Sequence, residues 1–109
     1  MQARTHSDPL LAHVAREADK LARKTGVALK VLLFGSRARG DHHARSDYDI
    51  AIQSPSLPDA PWLTFYTSLM EDAPTLCGLD ILRLEECGPE LSRRIAEEAR
   101  VIYDSEHDQ

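Results

Sequence analysis

From Asp47 to Gln53 the chain reads acid, aromatic, acid, aliphatic, alanine, aliphatic, amide. This alternation constrains the fold more than any other stretch. On a strand, successive side chains point to opposite faces, so Asp47 and Asp49 share one face and Tyr48, Ile50 and Ile52 take the other. The apolar face must be covered by another layer. The acidic face must meet something that tolerates two adjacent carboxylates, because like charges side by side on a sheet repel.

Val27 to Phe34 is β-branched and apolar, broken only by Lys30, and reads as a buried strand. A third strand is expected over Thr75 to Leu84, and a short closing strand at Val101 to Tyr103. Helices are expected around them. Asp8-Pro9 offers a cap and a first-turn proline. Leu11, Val14, Ala15, Ala18, Leu21 and Ala22 then recur at helical spacing until Thr25-Gly26. Trp62 to Met70 is a second helix. Its stripe of Trp62, Phe65, Tyr66 and Leu69 suits a core or a partner interface. Pro89 to Arg100 is the last helix, with Leu91, Ile95 and Ala99 on one face. Residues 1–7 read as a loose tail, and Asp104 to Gln109 as an acidic, frayed end.

The order helix, strand, strand, helix, strand, helix predicts an α/β (α+β) fold. Its small mixed sheet has three or four strands, with helices mainly on one face and the other open to a ligand. A length of 109 residues predicts one domain, with its core over about 8–104. No apolar run approaches the ~20 residues that span a bilayer, and Met1 to Pro9 lacks the apolar segment of a secretory signal, so a cytoplasmic location is expected. Cys77 and Cys87 read as free thiols rather than a disulfide or metal pair. The net charge of −5 argues against direct nucleic-acid binding.

The candidate chemistry lies in two stretches, Gly35-Ser36-Arg37-Ala38-Arg39-Gly40 and Ser46-Asp47-Tyr48-Asp49-Ile50-Ala51-Ile52. Gly35 ends a buried strand where the backbone must turn. Ser36 follows at a helix start, where free N–H groups can face an anion. Either Arg37 or Arg39 could add contacts to phosphate oxygens. A hard cation explains a pair such as Asp47 and Asp49, since Mg²⁺ is commonly held by carboxylates together with substrate phosphates. Asp80, a lone acid in an apolar strand, could join them, with Asp72 as its competitor. Three carboxylates around two ions suit a two-metal displacement. His42 and His43 read as loop residues, and Glu85-Glu86 and Glu97-Glu98 as solvated charge.

Gly35-Ser36 followed at this spacing by Asp47-Tyr48-Asp49 resembles the signature of the polymerase-beta-type nucleotidyltransferase superfamily. The fuller motifs, and the ending Leu91-Ser92-Arg93-Arg94-Ile95 through Val101-Ile102-Tyr103-Asp104, are similar to the minimal nucleotidyltransferase (MNT) family. The resemblance covers roughly residues 10–104. It implies a polymerase-beta-like nucleotidyltransferase fold that uses Mg²⁺ and takes ATP as nucleotide donor. Asp47, Asp49 and Asp80 would be the metal-binding and catalytic carboxylates. Gly35 and Ser36 would bind phosphate. The resemblance also implies a HEPN-domain toxin as partner, silenced by AMP placed on one of its tyrosines. Two other functions remain in view: neutralising the partner by contact alone, and nucleotide transfer to a small molecule. The short chain counts against the small molecule, since its acceptor would need a second domain.

Overall fold

The computed structural model describes residues 8–106. The expected tail over 1–7 and the extreme C-terminus, 107–109, lie outside the described residues. The chain runs α1 (Pro9–Thr25), β1 (Lys30–Phe34), a short helix α2 (Ser36–Arg39), β2 (Tyr48–Gln53), α3 (Asp59–Asp72) and β3 (Leu79–Arg83). A 3-10 turn (Leu84–Glu86), α4 (Pro89–Glu98) and β4 (Arg100–Asp104) complete it. The strands form one mixed sheet in the order β3-β2-β1-β4. β1 pairs antiparallel with β2 and with β4, while β2 and β3 run parallel. The expected α+β sheet is therefore a four-stranded one.

Register decides which side chains share a layer. Val31, Leu33, Ile50, Ile52, Ile81, Ile102 and Tyr103 lie in one cluster with Leu10, Val14, Ala15 and Ala18 of α1 and Phe65 and Leu69 of α3. This face carries the larger core, as the apolar half of the alternation in β2 requires. Leu32, Phe34 and Ala51 lie in a second cluster with Ile95, against which Leu82 and Leu91 pack. Helix α4 thus covers part of the opposite face, which the sequence left open, and the remainder carries the acidic half of β2.

Local signals account for the sharpest boundaries. The Asp8 carboxylate accepts from the N–H groups of Leu10 and Leu11 at 2.8 and 3.2 Å, capping α1. Gly26, at φ 71°, closes the same helix in the left-handed region. The third strand is shorter than expected, beginning at Leu79 rather than Thr75. The Thr75 hydroxyl accepts from the Cys77 N–H at 3.0 Å, and that turn uses up the backbone that would have paired. β1 also starts later, at Lys30, because the Leu29 N–H donates to the Ser105 hydroxyl at 2.9 Å. The same contact keeps the segment after β4 in place, so Asp104 belongs to the sheet and not to a frayed end. Arg83 is buried and donates to the carbonyls of Ser54 and Leu57, both at 2.9 Å, fixing the loop between β2 and α3. No helix among the described residues is long and apolar enough to cross a membrane.

Leu69 is fully buried between α3 and the sheet, whereas Leu76 is fully exposed. Leu69→Ala should lower unfolding free energy by about 2–5 kcal/mol, the range for a large cavity in a core. Leu76→Ala should change it by less than about 0.5 kcal/mol. Urea unfolding of both variants checks the pair.

Candidate active site

The acidic half of the β2 alternation falls on the side carrying α4. Asp49 is the register partner of Phe34 on one side and of Asp80 on the other. Asp49 and Asp80 therefore stand on neighbouring strands, on the same face. Asp47 precedes β2 and lies against Gly78, whose missing side chain makes room: a Cβ there would collide with the Asp47 carboxylate. Asp72 is the last residue of α3, on the opposite layer from this cluster.

Gly35 plays the same part on the far side of Asp49. Its backbone adopts φ 78°, ψ −158°, a region that only glycine occupies at little cost. A Cβ there would also strike the Asp49 carboxylate. Two glycines thus let the backbone close in on two aspartates from opposite sides. The turn at Gly35 leads into α2, whose first N–H groups have no intrahelical acceptor. Ser36 stands at this point, with its hydroxyl beside the turn.

The electrostatics follow from the crowding. Burial pushes the Asp49 carboxyl above the usual aspartate range, Asp80, Asp47 and Glu98 add to the shift, and Arg39 opposes it. Tyr48, on the reverse face of the same strand, donates its hydroxyl proton to Asp8 at 2.6 Å. Burial first, and that bond second, raise its pKa to about 12. The strand that carries the aspartates is therefore tied from behind to the cap of α1.

The two arginines diverge. Arg37 turns inward, donating to the carbonyls of Ser46 and Ala44 at 3.1 and 3.2 Å, with its guanidinium 3.9 Å from the centre of the Tyr48 ring. It braces the loop before β2. Arg39 stays on the site side, pairing with Asp41 at 3.1 Å and with Glu98 at 3.3 Å. Glu98 is the residue that sequence reasoning missed. Far from being solvated charge, its side chain is 17% exposed and accepts the Gly35 N–H at 2.6 Å. The only local signal was its position at the end of a helix with Leu91 and Ile95 on its inner face. Glu85, too, is engaged, accepting from the Ser54 N–H at 2.9 Å. Cys77 and Cys87 are free thiols.

Among the described residues no three Asp, Glu, His or Cys side chains form a ready-made metal cage. The donors that are gathered, hard carboxylate oxygens of Asp47, Asp49 and Asp80 at adjoining strands, fit Mg²⁺. That ion takes one or two protein carboxylates and completes its shell with phosphate oxygens and water. Asp47 and Asp49 would hold it, with Asp80 beside them. A cation there would offset the repulsion from Asp80, Asp47 and Glu98 that adds to the effect of burial on Asp49.

Crowded carboxylates on adjacent strands of a small mixed sheet, next to a glycine turn, define a nucleotidyltransferase domain. The chain belongs to the family described as "Polymerase beta, Nucleotidyltransferase", which matches residues 17–108. A search of curated proteins returned no match. Among solved structures, the chain is similar to a toxin–antitoxin crystallised with AMP-PNP, at 21% identity and a TM-score of 0.60. That match covers 84% of this chain and 74% of the other. It is also similar to the toxin–antitoxin MntA-HepT (19%, TM-score 0.52, covering 82% and 68%). A third similarity is to a tri-AMPylated Shewanella oneidensis HEPN toxin in complex with its MNT antitoxin (19%, TM-score 0.53, covering 82% and 68%). The fold is that of the MNT antitoxins, as the motifs led one to expect.

A raised folded-state pKa means that Asp49 favours folding below its ordinary value of 3.8, and that this stability is lost as pH climbs through the raised value. Without metal, Asp49→Asn should therefore melt higher than the wild type at neutral pH, and the gap should close in acid. Thermal melts from pH 3 to 8 in chelator measure the difference.

Proposed function

We propose that this chain transfers AMP from ATP to a protein hydroxyl, and that its acceptor is a tyrosine of a HEPN-type toxin for which it serves as antitoxin. The observation that carries this reading is the in-register placement of Asp49 and Asp80 beside the Gly35 turn, in a chain of the polymerase-beta nucleotidyltransferase family. The AMP-PNP and tri-AMPylated complexes among its structural neighbours supply the donor and the acceptor class.

Each group has a task. The Gly35-Ser36 turn and Arg39 grip the triphosphate, while Arg37 serves the loop. Asp47 and Asp49 hold Mg²⁺, which neutralises phosphate charge and makes the acceptor hydroxyl easier to deprotonate. Asp80 is exposed on the edge strand, where an acceptor can approach. As metal ligand or base, it receives the hydroxyl proton or steadies the oxygen that loses it. The acceptor oxygen bonds to the α-phosphorus, the bond from that phosphorus to the bridging oxygen breaks, and pyrophosphate leaves. We assign this work to one minimal domain over residues 8–104.

A second reading, neutralisation by contact, draws on a groove of about 530 Å³ between α3, β3 and α4, lined by Trp62, Leu63, Tyr66, Arg83 and Leu91. The two separate cleanly. Incubating the HEPN-type partner with this chain, ATP and Mg²⁺ should add about 329 Da per AMP, or a multiple of it, to the partner's mass. Asp47→Asn/Asp49→Asn should cut the rate at least about 100-fold, since even supporting residues of a metal site cost 10–100-fold. Neutralisation that persists without ATP would sink the catalytic reading in favour of contact.

A further inference from the structure

Glu98 closes α4, only Ala99 separates it from the start of β4 at Arg100, and both flanks are anchored. On one side Ile95 is fully buried against Leu32, Phe34 and Ala51. On the other, Arg100 is a register partner of Leu33. The carboxylate therefore projects from a rigid junction. It reaches 63 residues back along the chain to accept the Gly35 N–H at 2.6 Å. Both of its oxygens also accept from Arg39 Nη1, at 3.3 and 3.4 Å.

This placement is costly in isolation, because Glu98 adds negative charge to a site that already crowds Asp49. What the carboxylate achieves is geometric. It fixes the N–H of Gly35, whose positive-φ turn leads into α2, and it holds Arg39, the one of the two motif arginines that stays on the site side. Arg39 then uses Nε for Asp41 and Nη1 for Glu98, while Nη2 carries no partner among the described residues. An arginine held at two of its donors keeps its remaining fork in one orientation for an incoming oxygen.

We propose that Glu98 is the positioning residue of the nucleotide site: from the end of α4 it locks the Gly35 turn and Arg39 together, presetting both for the triphosphate. This role rests on the nucleotidyl-transfer reading above. Glu98 touches neither donor nor acceptor. It works by restricting the freedom of two groups that do, so ordering them costs less when ATP binds.

Calorimetric binding of AMP-PNP with Mg²⁺, and amide exchange of Gly35 by NMR, test the proposal on the whole chain. Glu98→Ala should weaken AMP-PNP about 10-fold, within the range for residues that support a binding group, and should speed Gly35 exchange. Glu98→Gln keeps an acceptor for the Gly35 N–H but loses the charge facing Arg39. It should fold normally, keep Gly35 protected and fall between wild type and Glu98→Ala in affinity. Unchanged affinity in both folded variants, even with a lower Tm, overturns the role and leaves Glu98 a structural residue. Tighter binding also overturns it, by making the carboxylate a competitor of phosphate. A wild type that binds no AMP-PNP removes nucleotide transfer and this role together, an outcome distinct from variants that merely match a wild type that binds.

Discussion

Everything on the ligand side of the sheet is arranged around a repulsion. Asp49 and Asp80 are brought together by register, Asp47 lies just before β2 against Gly78, and a fourth carboxylate, Glu98, approaches from α4. Such a group would scatter on a flexible surface. It stays because the opposite side of the same strands is among the best buried parts of the molecule, with Ile50, Ile52 and Val31 wholly inaccessible. Each strand is fixed by its apolar half, and the acidic half has no freedom to relax. The hydrophobic core is thus the device that holds like charges in place, and the Asp49 pKa is raised by burial first and by those charges second.

Two glycines complete this constraint. Gly35 and Gly78 are the places where the chain comes so near a carboxylate that a Cβ would overlap it. One opens the turn into α2 and the other leads into the strand bearing Asp80. The close approach gives the site its shape, while Tyr48, bonded to the cap of α1, ties the back of β2 to the longest helix.

The parts legible in the sequence were those with local causes. The alternation from Asp47 to Gln53 set faces correctly because a strand has a strict period of two. Asp8 and Gly26 marked the ends of α1 because capping needs only neighbouring residues. Pairing across the chain was not legible. Nothing within Thr75-Leu76-Cys77-Gly78 announces that a turn will take the first half of an expected strand. The separation of Arg37 from Arg39 depends on where Tyr48 and Glu98 arrive. Glu98 itself sits among other acids at the end of an amphipathic helix, and its role emerges only once α4 packs on Phe34 and Ile95 fixes its rotation.

The central claim is that the carboxylates facing the Gly35 turn hold a divalent ion together with a triphosphate. Crystals grown with Mn²⁺ and AMP-PNP, with diffraction recorded at the manganese edge, test it most directly. The expected result is an anomalous peak between Asp47 and Asp49, bridged to a phosphate beside Gly35 and Ser36, and lost in Asp49→Asn. AMP-PNP bound elsewhere, or manganese scattered on surface acids with no peak at these two aspartates, would contradict it.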